Sequence, residues 1–226
     1  MTTKITIVYD NDASKGYITG WGFSAIIEKD DEVLLFDAGW DGIALLKNFK
    51  AANFNPKTID YIVISHKHWD HIGGLNSVLY DSNNPTVFLP TSISSELKAE
   101  ITKFADLREV TEKTAEEIIP DIWTTRQLDT SIEGIKEIAL VIKTKEGLVV
   151  ICGCSHPGLD TIIECASEMG TIHAVIGGFH GFDKLDKLEN IELIVPCHCT
   201  KKKKEILEKY PKNSKKCYSG LVLSFE

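Results

Sequence analysis

No uninterrupted apolar stretch in this chain approaches the ~20 residues needed to cross a bilayer. Even Ile138 to Cys154 is broken by Lys143, Lys145 and Glu146, so a membrane span is excluded. The N-terminal MTTKITIVYD lacks the apolar core and small-residue cleavage site of a secretory signal, and it reads instead as the start of a strand. A cytoplasmic location is therefore expected. Net positive charge is missing as well: 25 Lys and Arg against 33 Asp and Glu leave a formal charge of −8. That balance argues against a general affinity for nucleic acid, with Lys201 to Lys204 the one candidate basic patch. The chain has no Ser/Pro-rich linker, low-complexity tract or obvious short-period repeat, and residues 1–226 are expected to form a single domain.

Among what is present, 43% hydrophobic residues over 226 positions suffice for a sizeable core. Short β-branched runs alternate with helical segments, the pattern of an α/β protein. Strands are predicted at Lys4 to Tyr9, Phe23 to Glu28, Val33 to Phe36 and Tyr61 to Ile64, and later at Lys136 to Thr144, Leu148 to Cys152, His173 to Ile176 and Glu192 to Val195. Ile43, Leu45, Leu46 and Phe49 fall at helical spacing over Asp41 to Ala52, with Asp41 as N-cap. Further helices are predicted from Leu75, over Leu159 to Glu168 and over Lys201 to Tyr210. Lys103 to Ile135 is polar and weakly periodic, and is expected to form a rim or lid. Six cysteines are present, four of them in the pairs Cys152-x-Cys154 and Cys197-x-Cys199. In a reducing cytosol, thiols, metal ligation or burial are favoured over disulfides, hyperthermophile proteins being the exception.

The strand Tyr61 to Ile64 runs into Ser65-His66-Lys67-His68-Trp69-Asp70-His71, four candidate ligands within six residues. Three imidazoles and a carboxylate beside an apolar strand are costly to desolvate unless a cation or hydrogen-bond partners compensate. Imidazole nitrogen and carboxylate oxygen suit zinc, iron, manganese or cobalt. In extended or looped backbone alternate residues point the same way, so His66 and His68 meet one metal while Asp70 and His71 turn toward a neighbouring one. The spacing favours a two-metal site at a strand's carboxyl end, where open α/β sheets place ligands.

His-x-His-x-Asp-His is the signature of the metallo-β-lactamase superfamily, which the chain resembles over most of its length. The resemblance implies a four-layer αββα sandwich: two mixed sheets face to face, helices on the outer faces, and a cleft at one edge. Phe36-Asp37-Ala38-Gly39 resembles the family's strand followed by Asp-x-Gly, which implies that Asp37 supports the histidine loop from behind; the alternative is an N-cap or turn residue. The resemblance implies His156 as third ligand to the metal of His66 and His68, and His198 as the partner of Asp70 and His71. Many relatives carry an aspartate bridging both metals in a Gly-Asp dipeptide, where this chain has Gly153-Cys154. Cys154 is then either a thiolate ligand or the mark of an absent bridge and a weakly held second ion. His180, after Gly177-Gly178-Phe179, faces the same edge as a ligand or proton donor. His173 starts its strand at the opposite end and reads as structural.

The strings VICGCSHPG (Val150 to Gly158), IGGFH (Ile176 to His180) and PCHCT (Pro196 to Thr200) are similar to one branch, the dihydropterin ribofuranosyl-aminobenzene phosphate synthase-like proteins. That branch implies a phosphorylated, pterin-like small molecule as substrate. Lys201 to Lys204 at the start of a helix oppose the helix dipole by ~0.3 to 1 kcal/mol each. An anionic substrate held by Thr200, Lys201 and backbone N–H groups would offset this, against the alternative of a solvated surface beside Glu205 and Glu208. The expected activity is a metal-dependent hydrolase or transferase working through metal-activated water, with one or two Zn2+ ions, or Fe or Mn in their place. Asp70 would orient the water while holding metal, and His180 would act as general acid. A di-iron oxidoreductase and a non-catalytic metal-binding or sensor module are the competing classes.

Overall fold

The computed structural model describes residues 2–226. β1 (Thr3–Tyr9), β2 (Ser24–Lys29) and β3 (Glu32–Phe36) form an antiparallel meander, and β4 (Tyr61–Val63), β5 (Thr86–Pro90) and β6 (Asp106–Val110) extend it in parallel. A second sheet starts with the hairpin β7 (Glu117–Ile119) and β8 (Ile122–Thr124). A short ribbon, β9 (Leu128–Asp129) with β10 (Lys136–Glu137), precedes the rest of that sheet: β11 (Leu140–Lys143), β12 (Leu148–Cys152), β13 (Ile172–Gly178) and β14 (Leu193–Cys197). β15 (Val222–Phe225) returns to the first sheet beside β1. Both sheets are mixed, since β12, β13 and β14 are parallel while β8, β11 and β12 are antiparallel.

Alternation along the strands sorts the apolar residues into layers. Ile5, Ile7, Leu34, Phe36, Val149, Ile151 and Ile176 face inward and fill the space between the sheets. Ile26, Leu35, Ile62 and Val87 face outward beneath α1 (Gly42–Ala51), α3 (Leu75–Asp81) and α4 (Ser95–Ile101), meeting Leu45, Phe49, Val78 and Ile101; α2 (Trp69–Ile72) is a single turn. On the other side Val150, Cys152, Val175 and Ile194 meet Leu159, Ile162 and Ala166 of α5 (Leu159–Ser167) and Ile206 of α6 (Lys203–Lys209). This is the αββα sandwich that the resemblance implies. Each buried aliphatic side chain contributes roughly 1.5–3 kcal/mol. An exposed pair such as Lys4–Glu28 contributes ~0–1 kcal/mol, so the layers and not the surface charges hold the fold.

Most predicted elements recur within a residue or two. Asp41 caps α1 as expected, its Oδ1 accepting from the N–H groups of Ile43 (2.8 Å) and Ala44 (3.2 Å). Three expectations need correction. Lys136 to Thr144 is two strands, because Ile138 N–H leaves the ladder for the Ser65 carbonyl and Ala139 N–H bonds the Thr125 hydroxyl. Lys103 to Ile135 is more than a rim: Ser131 and Ile132 line a pocket with His156 and His180, but the segment also supplies β6, β7, β8 and β9, strands of two to five residues in largely polar sequence. The last helix starts at Lys203, since Thr200 N–H bonds the Cys197 carbonyl and Lys201 N–H bonds the His180 carbonyl in a turn before it.

Parallel strands point one way, which collects their carboxyl ends along one edge of the sandwich. Just past these ends lie Asp10 after β1, Asp37 after β3, Ser65 after β4, Gly153 after β12, Phe179 after β13 and His198 after β14. The sheets approach closely there: a Cβ on Gly153 would lie 2.1 Å from Ser65 Oγ, so glycine is required.

Ile151 has no exposed surface and sits between the sheets. Ile151→Ala is expected to lower unfolding free energy by about 3 kcal/mol, read by urea denaturation.

Candidate metal centre

Among the described residues, eight other than glycine have left-handed φ, and four stand at this edge: Asp37 (58°), Ser155 (60°), His180 (43°) and His198 (38°). Such conformations cost free energy and persist where surrounding bonds over-determine them. Ser155 shows how. Its Oγ–H donates to the Gly178 carbonyl (2.7 Å), while Glu137 Oε1 accepts from the N–H groups of Cys154 (2.9 Å) and Ser155 (2.8 Å). Glu137 Oε2 takes the N–H of His156 at 2.9 Å. One buried carboxylate thus fixes three consecutive residues and turns Cys154 and His156 into the cleft.

The His66 loop is held equally firmly. Asp37 accepts from Ser65 N–H and Ser65 Oγ–H, both at 2.7 Å, and from His71 Nδ1–H at 2.6 Å. His68 stands at the start of the single turn α2, its carbonyl accepting from the N–H groups of His71 and Ile72, and the turn carries Asp70 and His71 on adjacent positions. Asp10, at the end of β1, accepts the N–H of His198 at 2.7 Å.

These partners set the tautomers. Ser65 spends its proton on Asp37, so it accepts from His66 Nδ1–H (2.9 Å). Glu137 accepts from His156 Nδ1–H (2.8 Å). Asn11 donates its amide to the His198 carbonyl (3.1 Å), which leaves Oδ1 to accept His198 Nδ1–H (3.1 Å). His66, His71, His156 and His198 therefore all present Nε2 lone pairs to the cleft. His66 Nε2 and His68 Nδ1 face each other at 3.0 Å, and His71 Nε2 lies 3.1 Å from Cys154 Sγ. Unshared pairs so close repel unless a proton or a metal ion lies among them. The donor set fits a divalent transition metal.

Two groups of donors result. Asp70, His71, Cys154 and His198 have ligand atoms mutually within 4.8 Å, and so do His66, Cys154 and His156. His68 joins the second group, its ring centroid 4.7 Å from those of both His66 and His156. Burial pushes His66 well below its ordinary value of 6.5, and the neighbouring His71 adds to the effect. Burial and His198 take His71 down to about 3, while burial and His156 lower His68. For Glu137 burial works upward, but the charge of His66 and the bond to His156 hold it at about 2. Burial likewise works to raise Asp70, and the neighbouring His198 and His71 outweigh it. Burial lifts Asp37 well above the carboxylate range despite the bonds from Ser65, and a cation on the far side of His71 favours its ionised form.

The structure thus brings together all six residues expected to hold metal, with Asp37 behind them. Cys154 stands inside the cluster, not behind it. His180 is exposed at the rim, its ring 5.2 Å from that of His156. Thr200 departs from expectation: it is buried, and its hydroxyl accepts from Phe179 N–H and donates to the Cys197 carbonyl, leaving nothing for a substrate. Lys201 is exposed beside His180, whereas Lys202 and Lys204 pair with Glu205 and Glu208 as a solvated surface does. His173 packs against Phe225, away from the site. Glu137, Asp10 and Asn11 escaped the sequence reading. A carboxylate abutting the apolar run Ile138 to Ile142 was the available signal for Glu137.

Residues 21–155 match the metallo-beta-lactamase superfamily, and the chain belongs to it. It is 27% identical to 7,8-dihydropterin-6-methyl-4-(beta-D-ribofuranosyl)-aminobenzene-5'-phosphate synthase of Methanocaldococcus jannaschii, covering 90% of each chain. An uncharacterized protein of the same organism is 32% identical, over 87% of this chain and 90% of its own. Among solved structures, Tm1679, a metal-dependent hydrolase of the beta-lactamase superfamily, superimposes with a TM-score of 0.80 at 28% identity, covering 98% of both chains.

Glu137→Gln keeps the shape but weakens the acceptor for His156 Nδ1–H, and is expected to lower metal affinity about 10–100-fold with the circular dichroism spectrum unchanged. In metal-free protein the lowered imidazoles are neutral while the unfolded chain takes up protons below 6.5. The stability they lend is complete above that value and is lost as pH falls toward their folded-state values; Asp37, raised by burial, acts in the opposite sense. The melting temperature of metal-free protein should therefore fall between about pH 7 and about pH 5.5.

Proposed function

We propose that the protein is a metal-dependent hydrolase or transferase acting on a phosphorylated, pterin-like small molecule. The observation that carries the reading is the convergence of His66, His68, His71, His156 and His198 with Asp70 at an open edge of the sandwich. Imidazole, carboxylate and thiol donors suit zinc or iron better than magnesium or calcium, and zinc is the ion we assign. A bound divalent ion supplies Lewis acidity and lowers the pKa of water at the site.

The chain's own residues do the rest. Asp70, part buried with one carboxylate oxygen 2.9 Å from His198 Nε2, is placed to orient a nucleophile as well as to ligate. Burial lowers His180, and the neighbouring His156 and Lys201 add to the effect. A phosphate dianion beside it raises that value and readies it to deliver a proton to a leaving group. Lys201 adds a cation at the same rim. Trp21 packs edge-on to the His198 ring at 4.8 Å with 58% of its surface exposed, an aromatic face for a planar heterocycle. The M. jannaschii synthase, similar over nine-tenths of this chain, supports the phosphorylated pterin class, and Tm1679 supports metal-dependent hydrolysis. Six free thiols suit a reducing compartment such as the cytoplasm.

The reading is tested by assaying zinc-loaded protein against phosphomonoesters, phosphodiesters and a ribosyl phosphate bearing an aromatic amine. Metal-dependent turnover of one class is expected, and His68→Ala should abolish it together with part of the bound metal. Full activity in His68→Ala, or turnover indifferent to chelators, would contradict the assignment.

A further inference from the structure

The two donor groups meet at one side chain. Cys154 Sγ lies within 4.8 Å of the ligand atoms of Asp70, His71 and His198 on one side and of His66 and His156 on the other. It is 3.1 Å from His71 Nε2 and 3% exposed, so solvent does not compete for it. Its backbone has no freedom to swing the sulfur away: Glu137 Oε1 holds its N–H, Gly153 packs against Ser65, and the next residue is fixed at φ +60°. A thiol kept among imidazole nitrogens is a poor hydrogen-bond partner for them but a strong ligand once deprotonated.

We propose that the Cys154 thiolate bridges two metal ions, one held by His66, His68 and His156 and the other by Asp70, His71 and His198. The proposal rests on the metal-centre reading and goes beyond it by assigning the link between the halves. On loading, the S–H proton passes to solvent and sulfur donates to both ions; nothing is oxidised or reduced. A soft bridging donor selects zinc, cobalt(II) or iron over manganese and magnesium, so the same carboxylate- and imidazole-lined cleft acquires a thiophilic preference. Cys199 is the competing thiol: its Sγ lies 3.9 Å from the Cys154 carbonyl and it is more exposed.

The experiment is a cobalt(II) titration of metal-free full-length protein, followed by absorption spectroscopy and elemental analysis, on the wild type, Cys154→Ser, Cys199→Ser and Cys154→Asp. Wild type and Cys199→Ser are expected to bind two ions and to show a near-ultraviolet sulfur-to-cobalt charge-transfer band. Cys154→Ser should lose the band and bind its second ion more weakly by more than the roughly 10–100-fold that loss of an outer partner costs. Cys154→Asp, whose two oxygens can span two ions, should recover the second ion without the band and narrow the preference for zinc over manganese. Two ions bound by the wild type with no charge-transfer band, or a band unchanged in Cys154→Ser, would overturn the bridge while leaving the metal centre intact. No cobalt bound by the wild type would overturn the metal-centre reading itself, and the bridge with it.

Discussion

The structure depends on four of the imidazoles at the cleft being spoken for at one nitrogen. Ser65, Asp37, Glu137 and Asn11 accept the Nδ1 protons of His66, His71, His156 and His198, and every Nε2 is thereby turned to the same small volume. A pair of facing lone pairs in a dry site costs free energy, and a divalent cation converts that cost into binding. Three of the acceptors are themselves anchored: Asp37 by Ser65, Glu137 by the backbone of Cys154 to His156, Asn11 by the His198 carbonyl. The geometry is therefore set before any ion arrives.

The αββα layering makes this possible. Parallel strands in both sheets deliver their carboxyl ends to one edge, and the edge is where backbone can leave the ladder without exposing a hydrophobic face. Residues far apart in the chain meet because strands that carry them lie side by side or face to face: Asp10 with His198, Asp37 with His71, Glu137 with His156. Left-handed φ values at Asp37, Ser155, His180 and His198 record the local strain of aiming these side chains, and the surrounding hydrogen bonds hold them there.

How much of this was legible follows from the range of each signal. The His66 to His71 segment could be read because four ligands sit within one strand-to-turn junction, and Asp41 could be read as a cap because its partners are two and three residues away. The sandwich was legible only through the resemblance that the His66 to His71 signature carries, because β3 and β12 are five residues each and β12 is buried throughout. Thr200 was misread because its buried partners, Phe179 N–H and the Cys197 carbonyl, are invisible in a string that ends beside lysines. Glu137 and Asn11 were missed for the opposite reason: nothing near them in sequence needs them, and their partners lie 19 and 187 positions away. The short strands between Asp106 and Asp129 carry too few residues for a period of two to separate from loop composition.

The account stands or falls on the cation at the converging nitrogens. Elemental analysis of the protein isolated from cells supplied with zinc, iron and manganese, with no chelator at any step, measures it most directly. At least one transition-metal ion per chain is predicted, lost on mutation of His66 and His198 together. A folded protein from the same preparation that carries no transition metal would contradict the central claim.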